Sequence, residues 1–157
     1  MPRALVIVDV QNDYFAGGAH PLAGPDAAAA NVRRLLDAFR ASGEQLVHVQ
    51  HVWDAPDAAF MRPGTRGIEI HDTVAPLAGE LVVQKAHPNR FRETTLEATL
   101  RAAADLGFDV TVVSDACATL DLEFAGETIP AQHVHGAFLA ALGGGYGAVL
   151  TTDELLS

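Results

Sequence analysis

Short apolar runs alternate with longer segments of helical periodicity along this chain. The apolar runs have the length and the Val, Leu and Ile content of buried strands. Between them, apolar residues recur three or four positions apart, as on one face of a helix. The predicted strands are residues 4–8, 45–52, 81–83, 109–113 and 148–150, and the predicted helices are residues 25–41, 95–106 and 128–142. This alternation predicts an α/β fold with a mainly parallel sheet covered by helices on both faces.

The connection between the second and third predicted strands shows no helical pattern. Residues 53–71 are rich in Pro, Gly and Arg instead. Loops of this length inside a compact domain are usually functional or disordered. We therefore expect this connection to cross over irregularly.

The size and charge of the chain narrow its class. Its 157 residues predict a single domain, residues 1–157, with a sizeable core. Twenty acidic and ten basic residues give a formal net charge of −10. That balance disfavours nucleic acid or an anionic membrane as the main partner, although solubility alone explains the acidic excess. With no signal peptide, no membrane-length apolar run and a single cysteine, we expect a cytoplasmic protein without a disulfide.

Two charged residues stand at the ends of apolar strands. Asp9 directly follows the first predicted strand, and Lys85 follows the third after one glutamine. The carboxyl ends of parallel strands lie at one edge of a sheet, where open α/β sheets bind their ligands. The two side chains could therefore meet, so that Lys85 would hold the carboxylate ionised and stabilise developing negative charge. Two unrelated polar residues at the sheet edge are the alternative.

Four segments, in this order, resemble the motifs of one superfamily. They are VIVDVQNDYF at residues 6–15, VVQK followed by HPNRF at residues 82–91, VVSDACAT at residues 112–119 and VLTTDEL at residues 149–155. The set resembles the isochorismatase-like cysteine hydrolases, which include nicotinamidases and related amidohydrolases. The resemblance runs nearly from end to end. It implies a three-layer α/β/α fold and a homo-oligomer.

The resemblance also implies catalytic roles. Asp9 is expected to be the general base and proton shuttle, and Lys85 its electrostatic partner. The third catalytic residue of the family is a cysteine at the start of a helix that follows a further central strand. Here residues 95–101 pass directly into residues 102–108, which resemble the end of the next helix. One central βα unit, roughly two dozen residues, is therefore expected to be absent, and the nucleophile with it.

Cys117 is the remaining thiol and a weak candidate for that role. A thiol close to Asp9 and Lys85 would have a lowered pKa and act as a nucleophile. Cys117 would approach them only if the strand at residues 109–113 occupied the vacant central position. It matches a different position of the family, and a buried cysteine usually acts as a small hydrophobic residue.

Other candidates come from the loops and the second strand. Phe15, Trp53 and Phe91 are candidate walls of a substrate pocket, and ordinary core positions explain them equally well. His48 and His51 are expected to face different sides of their strand, and the Asp-x-His metal pair of the nicotinamidase branch is absent. We therefore predict no metal and no cofactor.

These observations leave two functions open. The favoured one is hydrolysis of a small molecule, at an amide-type C–N bond, through an Asp-Lys-Cys mechanism whose cysteine is not at its expected place. The alternative is a catalytically silent member that binds a ligand or a partner subunit. A polypeptide that contains a segment lacking from this sequence would also explain the missing cysteine.

Overall fold

The computed structural model of the protein describes residues 3–85 and 103–157. Within these residues, seven strands and three α-helices are defined, together with four single 3-10 turns. The strands are β1 (Ala4–Val8), β2 (Gln45–His51), β3 (Leu81–Lys85), β4 (Thr111–Val113), β5 (Leu122–Phe124), β6 (Glu127–Ile129) and β7 (Ala148–Leu150). The helices are α1 (Pro25–Ser42), α2 (Ala131–Gly143) and α3 (Thr152–Leu156).

The strands form two parallel sheets and one hairpin. In the first sheet the order is β1-β2-β3, with β2 in the middle and parallel to both neighbours. The second sheet consists of β4 and β7, also parallel. The antiparallel pair β5 and β6 turns through Ala125 and Gly126, both with positive φ angles of 53° and 84°. The predicted α/β class with a mainly parallel sheet is therefore confirmed.

Helix α1 covers one face of the first sheet. It begins with Pro25 in its first turn and ends at Gly43, which has a left-handed φ of 69°. Val32 and Leu36 on its buried face pack with Ile7 of β1. Leu36 is completely buried. Burying a leucine side chain stabilises the fold by about 2 kcal/mol through the hydrophobic effect.

The face of the first sheet away from α1 carries two polar side chains at the carboxyl ends of its strands. Register pairs Val8 with Val49 and His51 with Lys85. Neighbours in parallel register share a face, and successive residues alternate between faces. His51 and Lys85 therefore lie on the face away from α1, whereas His48 lies on the α1 side with Ile7.

The second sheet packs with α2 and is joined to the first through α1. Val112 of β4 and Leu142 of α2 form its buried cluster. Asn31 of α1 donates a hydrogen bond of 2.8 Å to the carbonyl of Asp115, which follows β4. The Asp115 carboxylate in turn accepts bonds of 2.8 Å from the backbone and hydroxyl of Thr152 at the start of α3. These contacts to both sheets favour the prediction of a single domain.

One predicted helix begins later than expected. The pattern predicts a helix over residues 128–142, but Thr128 lies in β6 and α2 starts at Ala131. The Ala125-Gly126 turn closes a hairpin first, and Pro130 then separates the hairpin from the helix. The predicted helix at residues 95–106 lies mostly outside the described residues. Residues 103–105 are helical and end before Gly107, which has a φ of 83°.

A partly buried ion network connects α1 with β2 and the residue before β3. Arg40 binds both carboxylate oxygens of Glu80, at 2.7 and 2.9 Å, and His48 Nε2 lies 3.0 Å from the same carboxylate. The Glu80 side chain is only 12% exposed. The hydrogen bonds from Arg40 lower the pKa of Glu80 to about 2.

Replacing Glu80 with Gln should lower the free energy of unfolding at pH 7 by about 2–3 kcal/mol, because Arg40 and His48 lose a charged partner. The folded-state pKa lies below the unfolded value, so this stability is fully present above the unfolded pKa and is lost as pH falls through about 2. Urea unfolding of both proteins from pH 7 to pH 3 should show the difference narrowing below about pH 4.5.

The control is Glu44→Gln, which removes an exposed ion pair with Arg3 and should change stability little. If the difference in unfolding free energy between wild type and Glu80→Gln stays constant down to pH 3, the lowered pKa of Glu80 is contradicted.

Candidate active site

Asp9 ends β1 in a strained turn. Its φ of 57° lies in the left-handed region, which residues other than glycine rarely adopt. Its backbone N–H still donates to the Val49 carbonyl at 2.9 Å, so the strand ladder continues up to this residue. The side chain is buried, with 8% of its surface exposed. Strain of this kind costs about 1–3 kcal/mol and is typical of functional sites.

Lys85 and Asp9 form an ion pair across the end of the middle strand. Lys85 Nζ lies 2.5 Å from Asp9 Oδ2. Because β1 and β3 lie on either side of β2, the pair spans the carboxyl end of β2. Lys85 is also the only lysine in the chain. The structure therefore brings together the two residues that the sequence placed at strand ends.

His51 ends β2 between these two residues. It is 4% exposed, and its Nε2 has no hydrogen-bond partner among the described residues. Burial lowers the pKa of His51 below its usual value, Asp9 acts in the opposite direction, and Lys85 adds to the lowering. His51 is not among the site residues predicted from the sequence. The signal was available, since His51 ends a strand at the same edge as Asp9 and Lys85.

Gln11 holds the end of β2 in place. It is completely buried, and its side chain makes hydrogen bonds to both backbone groups of His51, accepting at 2.7 Å and donating at 2.9 Å. Its amide also donates to the carbonyl of Ile68 in the long loop, at 2.7 Å. Gln11 therefore fixes the loop and the end of β2 relative to the turn after β1.

The next two residues of the same motif secure the loop further. Asn12 donates to the carbonyl of Arg66 at 2.9 Å. The Asp13 carboxylate accepts from the backbone N–H of Met61 at 2.5 Å. It also lies against Gly67, where an added Cβ would come within 2.0 Å of Asp13 Oδ1. Only glycine fits at this position, so the irregular crossover at residues 53–71 has a defined path.

An aromatic cluster lies beside His51. Phe60 meets the His51 ring edge to face, with centroids 6.3 Å apart and an interplanar angle of 90°. Trp53 also meets Phe60 at a near-perpendicular angle, with centroids 5.4 Å apart. On its other side Phe60 stacks on His20 at 4.7 Å. The loop thus places aromatic side chains next to the strand ends.

The predicted pocket residues have different surroundings. Phe15 is buried and stacks on His71, with ring centroids 3.7 Å apart. Trp53 lines an open cavity of about 370 Å³ together with Arg62 and neighbouring loop residues. Neither Asp9 nor Lys85 lines that cavity. Phe91 lies outside the described residues.

Cys117 belongs to the second sheet. Its partly buried thiol donates to the Val113 carbonyl at 3.3 Å and packs on Val112 and Leu142. Burial raises the pKa of the Cys117 thiol to about 11, and Asp115 adds to the effect. Among the described strands, β4 pairs with β7 and not with β1. The displacement that would bring Cys117 toward Asp9 is therefore not seen.

No three His, Cys, Asp or Glu side chains in residues 3–85 and 103–157 lie close enough together to hold a metal ion. In the same part of the chain, no helix has both the length and the apolar character needed to cross a membrane.

The parallel strands and the charged side chains at their carboxyl ends are typical of an α/β enzyme that binds its ligand at that edge of the sheet. The sequence model of the isochorismatase domain matches residues 3–102. The isochorismatase family protein YddQ of Bacillus subtilis is 40% identical over 179 aligned positions, covering 99% of each chain. The crystal structure of an isochorismatase hydrolase from Oleispira antarctica is 42% identical, with a TM-score of 0.87 over 97% of this chain and 94% of that one. The chain belongs to the isochorismatase family.

Relatives with named activities are more distant. Streptothricin hydrolase of Streptomyces noursei is 32% identical over 90% of this chain and 59% of its own length. The crystal structure of an isochorismatase from Pseudomonas putida is 31% identical, with a TM-score of 0.83 over 98% of this chain and 92% of that one. The family therefore comprises hydrolases, as the sequence resemblance implied.

The comparison with YddQ bears on the absent βα unit. Its 179 aligned positions exceed the 157 residues of this chain, so at least 22 positions of that alignment have no counterpart here. Within the described residues, β1 and β4 each pair with a single strand, and their sheets remain separate. The number of unmatched positions agrees with the predicted length of the absent unit, roughly two dozen residues.

The environment of Cys117 predicts slow alkylation. With a pKa of about 11, only on the order of 10⁻³ of the thiol is ionised at pH 8, and the thiolate is the reactive form. Native protein should react with iodoacetamide far more slowly than the same protein in urea, as measured by intact mass, and faster as pH approaches 11. Equal native and denatured rates at pH 8 would contradict the buried, protonated thiol.

Proposed function

We propose that this chain hydrolyses a small molecule at an amide-type C–N bond, with Asp9 and Lys85 as the core of the site. The single observation that carries the proposal is their 2.5 Å ion pair at the carboxyl edge of the sheet, in a family of hydrolases. This is the edge where open α/β sheets bind their ligands. The strained backbone of Asp9 supports a functional role for its carboxylate.

Asp9 and Lys85 have complementary roles in this reaction. Asp9 takes the proton of the nucleophile as that atom bonds to the carbonyl carbon, and then gives it to the leaving nitrogen as the C–N bond breaks. Water hydrolyses the acyl intermediate in the same way, with Asp9 returning the proton to the nucleophile. The Lys85 ammonium pairs with the carboxylate and offsets the negative charge that develops on the carbonyl oxygen.

The amide class is supported by named relatives. Ureidoacrylate amidohydrolase of Rhizobium rhizogenes is 32% identical over 63% of this chain and 54% of its own length. Because that match covers only part of both proteins, it supports the type of bond and not the substrate itself. The partly exposed aromatic side chains near His51 favour a substrate with an apolar portion.

The described residues place no thiol beside Asp9 and Lys85. Cys117 is the only thiol of the chain, and it packs against the second sheet with a raised pKa. This observation favours a second candidate function, in which the Asp9 and Lys85 site binds a ligand or partner subunit without turnover. A homo-oligomer and a cytoplasmic location stay predictions under either function.

Substitutions at the ion pair test the proposal on a panel of small amides. Asp9→Asn should reduce kcat by about 10²–10⁴-fold, because the general base is lost. Lys85→Met should also reduce kcat, and Lys85→Arg should restore part of it because the positive charge returns. Asp57→Asn removes an exposed loop carboxylate and is the matched control, with unchanged rates.

Cys117→Ala tests Cys117 as the nucleophile, and intact mass together with ligand binding separates the two candidate functions. Loss of turnover in Cys117→Ala, with folding retained, would assign the thiol as nucleophile. Turnover that survives would exclude Cys117 from that role. An intact mass of 16.5 kDa with no turnover of any amide, but with ligand binding that depends on Asp9, would replace hydrolysis by the second function. A mass heavier by one βα unit would instead remove the reason for a silent protein.

A further inference from the structure

Among the residues that the structure describes, His51 is a buried titratable group beside the ion pair that the proposed reaction does not use. It ends the middle strand, while Asp9 directly follows the strand on one side and Lys85 ends the strand on the other. It is in direct register with Lys85 and shares its face of the sheet. The ion pair that joins β1 to β3 therefore passes the position of the His51 ring.

The surroundings of His51 restrict its movement. Gln11 bonds to both backbone groups of His51, so the strand end cannot shift without breaking two buried hydrogen bonds. Phe60 closes against the ring at a right angle. Among the described residues, Nε2 has no hydrogen-bond partner, although the side chain is more than nine-tenths buried. A buried polar atom without a partner is costly, and such atoms are retained at sites where they have a role.

The charged groups that face His51 come from two of the elements packed against it. Asp9 faces it from the end of β1, and Lys85 faces it from the end of β3. From the loop it meets the uncharged ring of Phe60, and from the turn after β1 the uncharged amide of Gln11. Burial lowers the pKa of His51, Asp9 opposes this change, and Lys85 strengthens it. The imidazole is therefore held in its neutral form.

We propose that His51 is a positioning residue for the ion pair: its neutral imidazole, held at the end of β2, packs beside the contact between Asp9 and Lys85 and so maintains it. The inference rests on the proposed function of the pair. When acid protonates His51, a second cation stands beside the carboxylate and competes with Lys85 for it. Because a carboxylate with two cationic neighbours is a weaker base, proton transfer by Asp9 slows.

The first test measures His51 directly and needs no substrate. Titration of the imidazole signals by NMR, with the His51 signal assigned by its loss in His51→Gln, should show His51 protonating below the usual value near 6.5. Asp9→Asn should lower the His51 pKa further, because the favourable charge is removed. Lys85→Met should raise it, because the repulsive charge is removed. A His51 titration that is the same in wild type, Asp9→Asn and Lys85→Met would overturn the proposal.

The second test uses the pH profile of kcat/KM. His51→Gln leaves a neutral side chain that cannot gain a charge, so the fall in kcat/KM below pH 6.5 should be less steep than in wild type. His48→Gln is the matched control: His48 is a buried histidine of the same strand, on the opposite face and beside Glu80. It should leave the shape of the profile unchanged, even if it lowers stability. Equal changes in both variants would assign His51 a merely structural role.

The two tests distinguish failure of the inference from failure of the proposed function. If no amide is hydrolysed by wild type, the hydrolase proposal fails, and the NMR titrations still decide whether His51 senses both members of the pair. If amides are hydrolysed and the titrations do not differ between variants, only the role of His51 is wrong. The Lys85 side chain is a further NMR probe of the pair. Because the chain contains a single lysine, its side-chain signal is assigned without a variant.

Discussion

The parallel register of β1, β2 and β3 decides where the polar side chains of the candidate site lie. Because all three strands run the same way, Asp9, His51 and Lys85 end at one edge of the sheet. The ion pair then joins the outer two strands across the middle one, at 2.5 Å. A slip of one residue in β3 would turn Lys85 to the other face and remove the pair. Strand pairing and site chemistry therefore depend on the same constraint.

The motif after β1 has a structural task beside its chemical one. Gln11 and Asp13 are buried and make hydrogen bonds to the backbone of β2 and of the long loop. These bonds give an irregular connection a fixed path, and they satisfy backbone groups that would otherwise be buried without partners. The loop in turn carries Phe60 to the ring of His51. One short segment thus supplies the carboxylate and also organises the wall around it.

The ion pair of the candidate site and the single thiol of the chain lie in different halves of the molecule. Asp9 and Lys85 are in contact, while Cys117 packs in the second sheet with a pKa of about 11. Helix α1 contacts both halves, but β1 and β4 do not pair within the described residues. The relative YddQ aligns over positions that this chain does not have. The chain therefore retains a strained, buried Asp9 paired with Lys85, although its thiol packs elsewhere.

The sequence by itself determined the strands of the first sheet, helix α1 and the charged residues at the strand ends, because apolar periodicity and capping glycines are local signals. It placed the start of α2 wrongly, since β6 forms only by pairing with β5 across a turn. The sequence pattern did not indicate His51 as a site residue, because its position beside the ion pair depends on Asp9 and Lys85, which come from other parts of the chain. Tertiary structure alone decided that Lys85 reaches Asp9, that Gln11 clamps β2 and that Cys117 lies apart, because these contacts join residues far apart in the chain.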